Sequence, residues 1–162
     1  MILSAQSIRV RCDNYEQMII PFHERTIHNG MTYGLSAAGY DIRIAEDVYL
    51  SYPKYDKFVL ASSMEYFNMP DDVLGRVADK SSWARKGLAV QNTVIEPGWK
   101  GYLTLELSYH GNASLEITKG TPIAQIIFEL LDAPTEQPYR GKYQNQRAGA
   151  VEAIEETQQG HQ

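Results

Sequence analysis

Gly101-Tyr-Leu-Thr-Leu-Glu-Leu-Ser-Tyr109 decides the fold. Leu103, Leu105, Leu107 and Tyr109 alternate with Tyr102, Thr104, Glu106 and Ser108. A period of two is that of a strand with one buried face, since successive side chains of a strand point to opposite sides. Working outward, Gly39-Tyr-Asp-Ile-Arg-Ile44 alternates in the same way, with Tyr40, Ile42 and Ile44 opposite Asp41 and Arg43. Pro122-Ile-Ala-Gln-Ile-Ile-Phe-Glu-Leu-Leu131 is almost continuously apolar, which suits a strand covered on both faces. Shorter strands are expected at 48–51, 57–60, 64–67, 73–77, 88–95 and 114–117. Turn residues separate them at Met69-Pro-Asp-Asp72, Pro97-Gly98, Gly111-Asn112 and Lys119-Gly120. Many short strands at this spacing predict an all-β domain, an antiparallel sandwich or barrel.

Helices are expected in two places only. Ser4 to Arg9 can form a short N-terminal helix with Ser4 as its cap. Ser81 to Lys86 reads as one or two turns, with a hydroxyl or Asp79 at the N-cap and Gly87 as the stop. From Ala148 onward the chain turns polar and rich in Glu and Gln. We therefore expect one domain over residues 1–147 and a mobile polar tail over 148–162.

Bulk properties narrow the function. A chain of 162 residues is one domain by size and can bury a substantial core. No apolar run approaches a membrane span and no basic-then-apolar leader is present, so a cytoplasmic protein is expected. The net charge of −5 disfavours bulk nucleic-acid binding, although Lys80, Arg85, Lys86, Lys142 and Arg147 could hold a small polyanion. One cysteine, Cys12, excludes an internal disulfide and a cysteine-rich zinc site. It also excludes the zinc deaminases, whose motif needs two further cysteines. No Walker loop, dinucleotide fingerprint or zinc-protease pair is present, and His23, His28, His110 and His161 lack metal-ligand spacing. Chemistry here has to rest on carboxylates and bound water.

Glu106 is the first candidate. It lies on the polar face of its strand, where a lone glutamate is most often plain surface. A five-residue turn at 97–101 would fold 91–96 back on this strand, placing Glu106 near Asn92 and Glu96 near Tyr102. The polar cluster so formed resembles a lined pocket more than a random solvent face. The Lys80-Ser-Ser-Trp-Ala-Arg85 turn offers a second half, with two hydroxyls and two cations beside a helix N-terminus. By itself such a turn is equally a capped surface helix. Tyr139-Arg-Gly-Lys-Tyr-Gln-Asn-Gln-Arg147 interleaves basic, amide and aromatic residues, as does a segment that closes over a nucleotide, or an ordinary surface loop.

Taken together, these stretches resemble the dCTP deaminase branch of the dUTPase-like superfamily. The resemblance runs through Ser36–Arg43, Gly75–Leu88, Ile95–Leu107, Gly120–Phe128 and Gly141–Gln146, in order and at matching spacing. It implies a distorted jelly roll (a β-clip) with a few short helices, assembled as a homotrimer with active sites between subunits. It also implies hydrolytic deamination of dCTP to dUTP and ammonia, with Mg2+ accompanying the triphosphate and no catalytic metal, zinc included. Under the resemblance Glu106 matches the general base, and Ser81 and Arg85 the serine and arginine that orient the water and the glutamate. Lys80 and Ser82 match phosphate contacts, and Glu96 an aspartate that touches the sugar 3′-hydroxyl. Tyr139, Lys142 and Gln146 match the segment that closes on the triphosphate, and Asn92 is a further substrate-binding candidate beside Glu106. A neighbouring subunit over the polar face would bury Glu106 and raise its pKa.

Two features depart from the family pattern. Thr93–Glu96 is shorter than the corresponding loop, whose backbone helps read the base, and position 96 holds Glu in place of Asp. The longer side chain favours deamination alone over a bifunctional deaminase and dUTPase. The alternatives are a dUTP pyrophosphatase, a bifunctional enzyme yielding dUMP, and a nucleotide-binding regulatory relative without turnover.

Overall fold

The computed structural model describes residues 1–51 and 57–156. In chain order its elements are α1 (Ala5–Cys12), β1 (Ile19–Ile20), β2 (Thr26–His28), β3 (Met31–Ser36), β4 (Gly39–Arg43), β5 (Val48–Leu50), β6 (Phe58–Asn68), β7 (Val73–Asp79), α2 (Ser81–Ala84), β8 (Leu88–Val90), β9 (Val94–Ile95), β10 (Lys100–Tyr109), β11 (Leu115–Ile117) and β12 (Pro122–Leu130). The strands form a six-stranded sheet ordered β2-β3-β4-β12-β7-β9, a four-stranded sheet ordered β1-β6-β10-β8, and a β5-β11 ribbon. All the pairings of the two larger sheets are antiparallel.

Alternation holds over the second half of β10, where Leu105, Leu107 and Tyr109 are buried and Thr104, Glu106 and Ser108 are half-buried; Leu103, beside a register shift against β6, is only half-buried. Ile42, Ile126 and Phe128 of the large sheet and Phe67 of β6 belong to the same core. The apolar β12 sits between β4 and β7, with Pro122 to Ala124, Ile126 and Phe128 buried. The two sheets are also joined by charge. Arg43 Nε and backbone N–H of β4 donate to the two carboxylate oxygens of Glu65 on β6, at 2.8 and 2.9 Å.

Several boundaries differ from expectation for physical reasons. The separate strands expected at 57–60 and 64–67 are one long β6, because Ser62 and Ser63 between them are buried and bonded rather than turning the chain. The strand expected over 88–95 breaks in two. Val94 and Ile95 leave the β10 sheet and pair with Arg76 and Gly75 of β7, so 91–99 crosses between sheets. Gly75 permits this, since a Cβ there would meet the Ile95 side chain at 3.1 Å. The crossover replaces the expected fold-back of Glu96 onto Tyr102. Alternation on β4 also fails at Asp41, which is buried.

The helices form where composition places them, with different ends. α1 runs to Cys12; Ser4 is at its N-cap but makes no capping bond, its hydroxyl lying 3.2 Å from that of Ser7. In α2 the N-cap is Lys80, not a hydroxyl or Asp79, because the Asp79 carboxylate instead accepts the Val90 N–H at 2.8 Å.

Candidate active site

Glu106 is placed by Asn92. β8 ends at Val90, and beyond it the Asn92 side chain takes over the ladder. Its Oδ1 accepts the Glu106 N–H at 3.0 Å and its Nδ2 donates to the Thr104 carbonyl at 2.6 Å. The expected proximity of Asn92 and Glu106 is therefore present, in a particular form. The amide expected to face a substrate instead pins the backbone on both sides of Leu105.

On the other side of β10, Leu60 of β6 lies directly opposite Glu106 and Phe58 opposite Ser108. Directly opposed residues share a sheet face, so the Glu106 carboxyl has apolar neighbours. Burial holds its pKa above the ordinary carboxylate value, and no cation among the described residues pulls it back. A cavity of about 430 Å3 opens here. Phe58, Leu60, Val94, Leu103 and Trp99 supply its apolar lining, and Asn92, Glu96, Thr104, Glu106, Tyr139 and Gln146 its polar groups. Two carboxylates, Glu96 and Glu106, thus share one concavity of a size that takes small molecules.

The C-terminal segment is fitted against β10 by a run of bonds. Trp99 Nε1 donates to the Tyr143 carbonyl at 2.7 Å, and Gln144 accepts the Lys100 N–H and donates to the Gly98 carbonyl. Gln146 then pairs in parallel with Gly101, its carbonyl accepting the Tyr102 N–H at 3.0 Å. Gly101 has φ +150°, and a Cβ there would lie 2.8 Å from the Gln146 nitrogen, so only glycine admits this approach. The Gln146 Nε2 donates to the Tyr102 carbonyl and the Thr104 hydroxyl. A carbonyl can only accept, so the amide orientation is fixed and its Oε1 is left as the acceptor available to the cavity.

Beyond residue 147 the chain was expected to be mobile. In the structure the Val151 N–H donates to Thr104 Oγ1 at 3.1 Å and the Ile154 N–H to the Tyr143 hydroxyl at 3.0 Å. Val151 and Ala153 also line the cavity. Residues 157–162, His161 among them, lie outside the described residues.

Tyr139 is half-buried, its hydroxyl accepting the Tyr143 N–H at 3.2 Å, and Lys142 is exposed with its ammonium 5.4 Å from the Tyr143 ring centroid. The α2 turn stands apart. Ser81, Ser82 and Arg85 are exposed, do not line the Glu106 cavity, and Arg85 makes no ion pair among the described residues. Lys80, expected to reach a phosphate, is buried with its ammonium 2.8 Å from the Asp41 carboxylate. Trp83 anchors the turn through its Nε1, which donates to the Pro122 carbonyl at 2.7 Å. One chain therefore brings Glu106, Glu96, Asn92, Tyr139 and Gln146 together and leaves Ser81, Ser82 and Arg85 elsewhere.

Thr104 and Leu60 were not singled out from sequence as site residues. Alternation did place Thr104 on the Glu106 face, whereas the role of Leu60 depends on register. Among the described residues no group of three or more His, Cys, Asp or Glu could hold a metal ion, and no helix is long and apolar enough to cross a membrane.

The fold falls in the class of the dUTPases. The EIAV dUTPase superposes with a TM-score of 0.55 over 77% of this chain and 98% of its own, at 19% identity. A 2'-deoxycytidine 5'-triphosphate deaminase from Agrobacterium tumefaciens superposes with a TM-score of 0.59 over 80% of this chain and 47% of its own, at 18% identity. Sequence narrows the class. Residues 50–131 match the dCTP deaminase-like family model, and the dCTP deaminase of Campylobacter curvus is 36% identical over 80% of this chain and 86% of its own length. The chain belongs to the dCTP deaminase family.

Proposed function

We propose that this protein hydrolyses dCTP to dUTP and ammonia, with Glu106 as the general base. The observation that carries the reading is the Glu106 carboxyl: it faces a cavity, has no cationic partner among the described residues, and has its pKa raised by burial. A carboxylate held nearer neutrality is a better proton acceptor that can also return the proton. In the reaction Glu106 removes a proton from water as its oxygen bonds to C4 of cytosine. That proton goes to the ring nitrogen N3; Glu106 then carries the proton of the new C4 hydroxyl to the amino group, the bond from C4 to that amino nitrogen breaks as the C4 carbonyl forms, and ammonia leaves. The nucleotide enters as its magnesium complex, and Tyr139 and Lys142 take the triphosphate side, while Gln146, whose N–H groups are spent on Tyr102 and Thr104, holds the segment to β10.

The active unit is a homotrimer, with Ser81 and Arg85 of one subunit completing the cavity of the next. Their exposure on a turn outside the Glu106 cavity supports this reading, and closed rings of identical subunits commonly build sites between protomers. Glu96 in the same cavity is the feature that favours the second reading, attack by water on phosphorus to give dUMP and pyrophosphate.

Separate incubations with dCTP and with dUTP, each with magnesium, distinguish the two: dUTP with ammonia from dCTP is expected, whereas dUMP with pyrophosphate from dUTP would establish the second. Mixing Glu106→Gln with Arg85→Ala protein and refolding together should restore about a quarter of wild-type activity, as random trimers do when each site spans two subunits. No restoration would place both residues in one subunit's site.

A further inference from the structure

We propose that Thr104 is a positioning residue whose hydroxyl latches the C-terminal segment onto the strand that carries Glu106, so that docking of the segment and placement of Glu106 are one event. The proposal rests on the deaminase reading for its kinetic consequence, and on geometry alone for the latch. Thr104 precedes Glu106 by two positions, on the same face of β10. Its carbonyl is held by the Asn92 amide that also holds the Glu106 N–H. Its hydroxyl oxygen accepts from Gln146 Nε2 and from the Val151 N–H. One residue thus joins three parts of the chain: the crossover after β8, the strand of the base, and the C-terminal segment.

The chemistry of a hydroxyl makes this more than packing. Oxygen has two acceptor sites, and two N–H donors fill both. The hydroxyl proton is then left to donate to a third group, and Thr104 lines the cavity. Threonine satisfies the strand as valine would, being β-branched. The pairing of β10 with β6 places no demand on an oxygen at this position, whereas the C-terminal segment does. Undocking 146–151 would remove both donors and free the hydroxyl to turn. The Asn92 clamp on the adjacent carbonyl carries that change to Glu106.

The test uses the full-length protein with Thr104→Val, which keeps shape and branching, and Thr104→Ser, which keeps the hydroxyl. Hydrogen exchange at the Val151 and Glu106 amides should accelerate together by about tenfold in Thr104→Val and return toward wild type in Thr104→Ser. For ammonia release from dCTP, kcat should fall by up to about 10²-fold in Thr104→Val, the scale of a mispositioned catalytic group, with Thr104→Ser recovering most of it. In a Gln146→Ala background, where only the Val151 N–H remains on the hydroxyl, Thr104→Val should bring a smaller further loss than in the wild type. Unchanged Val151 exchange overturns the latch, and acceleration at Val151 without change at Glu106 overturns the coupling. Equal kinetic losses in both backgrounds would show that the hydroxyl acts apart from the segment. If the wild-type protein releases no ammonia, the deaminase reading fails while the exchange experiment still decides the latch.

Discussion

Glu65 and Glu106 are two carboxylates on adjacent, paired strands, and they have opposite surroundings. Glu65 is fully buried between the sheets, and both its oxygens accept bonds from Arg43, whose guanidinium also lies 4.5 Å from the Tyr33 ring centroid. Burial pushes the Glu65 pKa up and the Arg43 bonds pull it partway back. Glu106 is half-buried and feels only the first effect. The difference teaches what separates a structural carboxylate from one suited to proton transfer. A paired carboxylate is tied to its charge, because losing it would strand the cation. An unpaired one in a partly dry cavity can take a proton and release it.

The largest expected effect breaks the unpaired member. Glu106→Gln should lower kcat for ammonia release by about 10²–10⁴-fold, the contribution of a general base, while the fold survives. Its stability has a definite sign. The folded-state pKa of Glu106 lies above the ordinary value, so its stabilising effect is full below the unfolded pKa and is lost as pH rises through the folded pKa. At neutral pH the ionised carboxylate is a burden, and Glu106→Gln should melt at the same temperature as wild type or higher. A clearly lower midpoint at pH 7 would show that Glu106 has a stabilising partner.

The structural member should respond in the opposite way. Glu65→Ala leaves the half-buried Arg43 without its partner, which costs up to about 3–5 kcal/mol, read from urea unfolding. Replacing both residues by apolar ones, Arg43→Met with Glu65→Leu, should recover most of that loss. Folded Glu65→Ala protein retaining near-normal kcat per folded molecule would confirm the division of roles.

A smaller effect is expected at the Glu106 clamp. Asn92→Leu removes both side-chain bonds and leaves the Glu106 N–H without its acceptor, at about 1–3 kcal/mol of stability. Its kcat should drop further than the loss of folded protein explains, as a ratio of activity to folded fraction would reveal. The smallest effect concerns pH. The acid limb of kcat/KM should lie above the ordinary glutamate value of about 4.3. Leu60→Ser, which wets the wall opposite Glu106, should move that limb to lower pH. A limb unmoved by this change would mean that Leu60 does not set the Glu106 environment.

Much of this comparison was legible in the chain. Alternation over 104–109 put Glu106 and Thr104 on one face and Leu105 and Leu107 on the other, because strand geometry fixes the side of every residue once the period is known, and only Leu103, beside a register shift, escapes it. It could not tell that Asp41, on the polar side of its own strand, would be buried against Lys80, since that depends on what covers the face. The same limit hid the bond of Val151, since composition does not tell which acceptor its N–H finds, here the Thr104 hydroxyl.

By itself the sequence determined the all-β class, the two short helices, the candidate base and the separation of the Ser81–Arg85 turn from Glu106 along the chain. These follow from local periodicity, turn chemistry and residue type. Only the tertiary structure decided that Val94 and Ile95 cross to β7, that Leu60 lies opposite Glu106, and that Asn92 and Gln146 spend their amides on β10. Those are matters of register between segments distant in sequence, where one hydrogen bond made across the fold changes which atom remains free for chemistry.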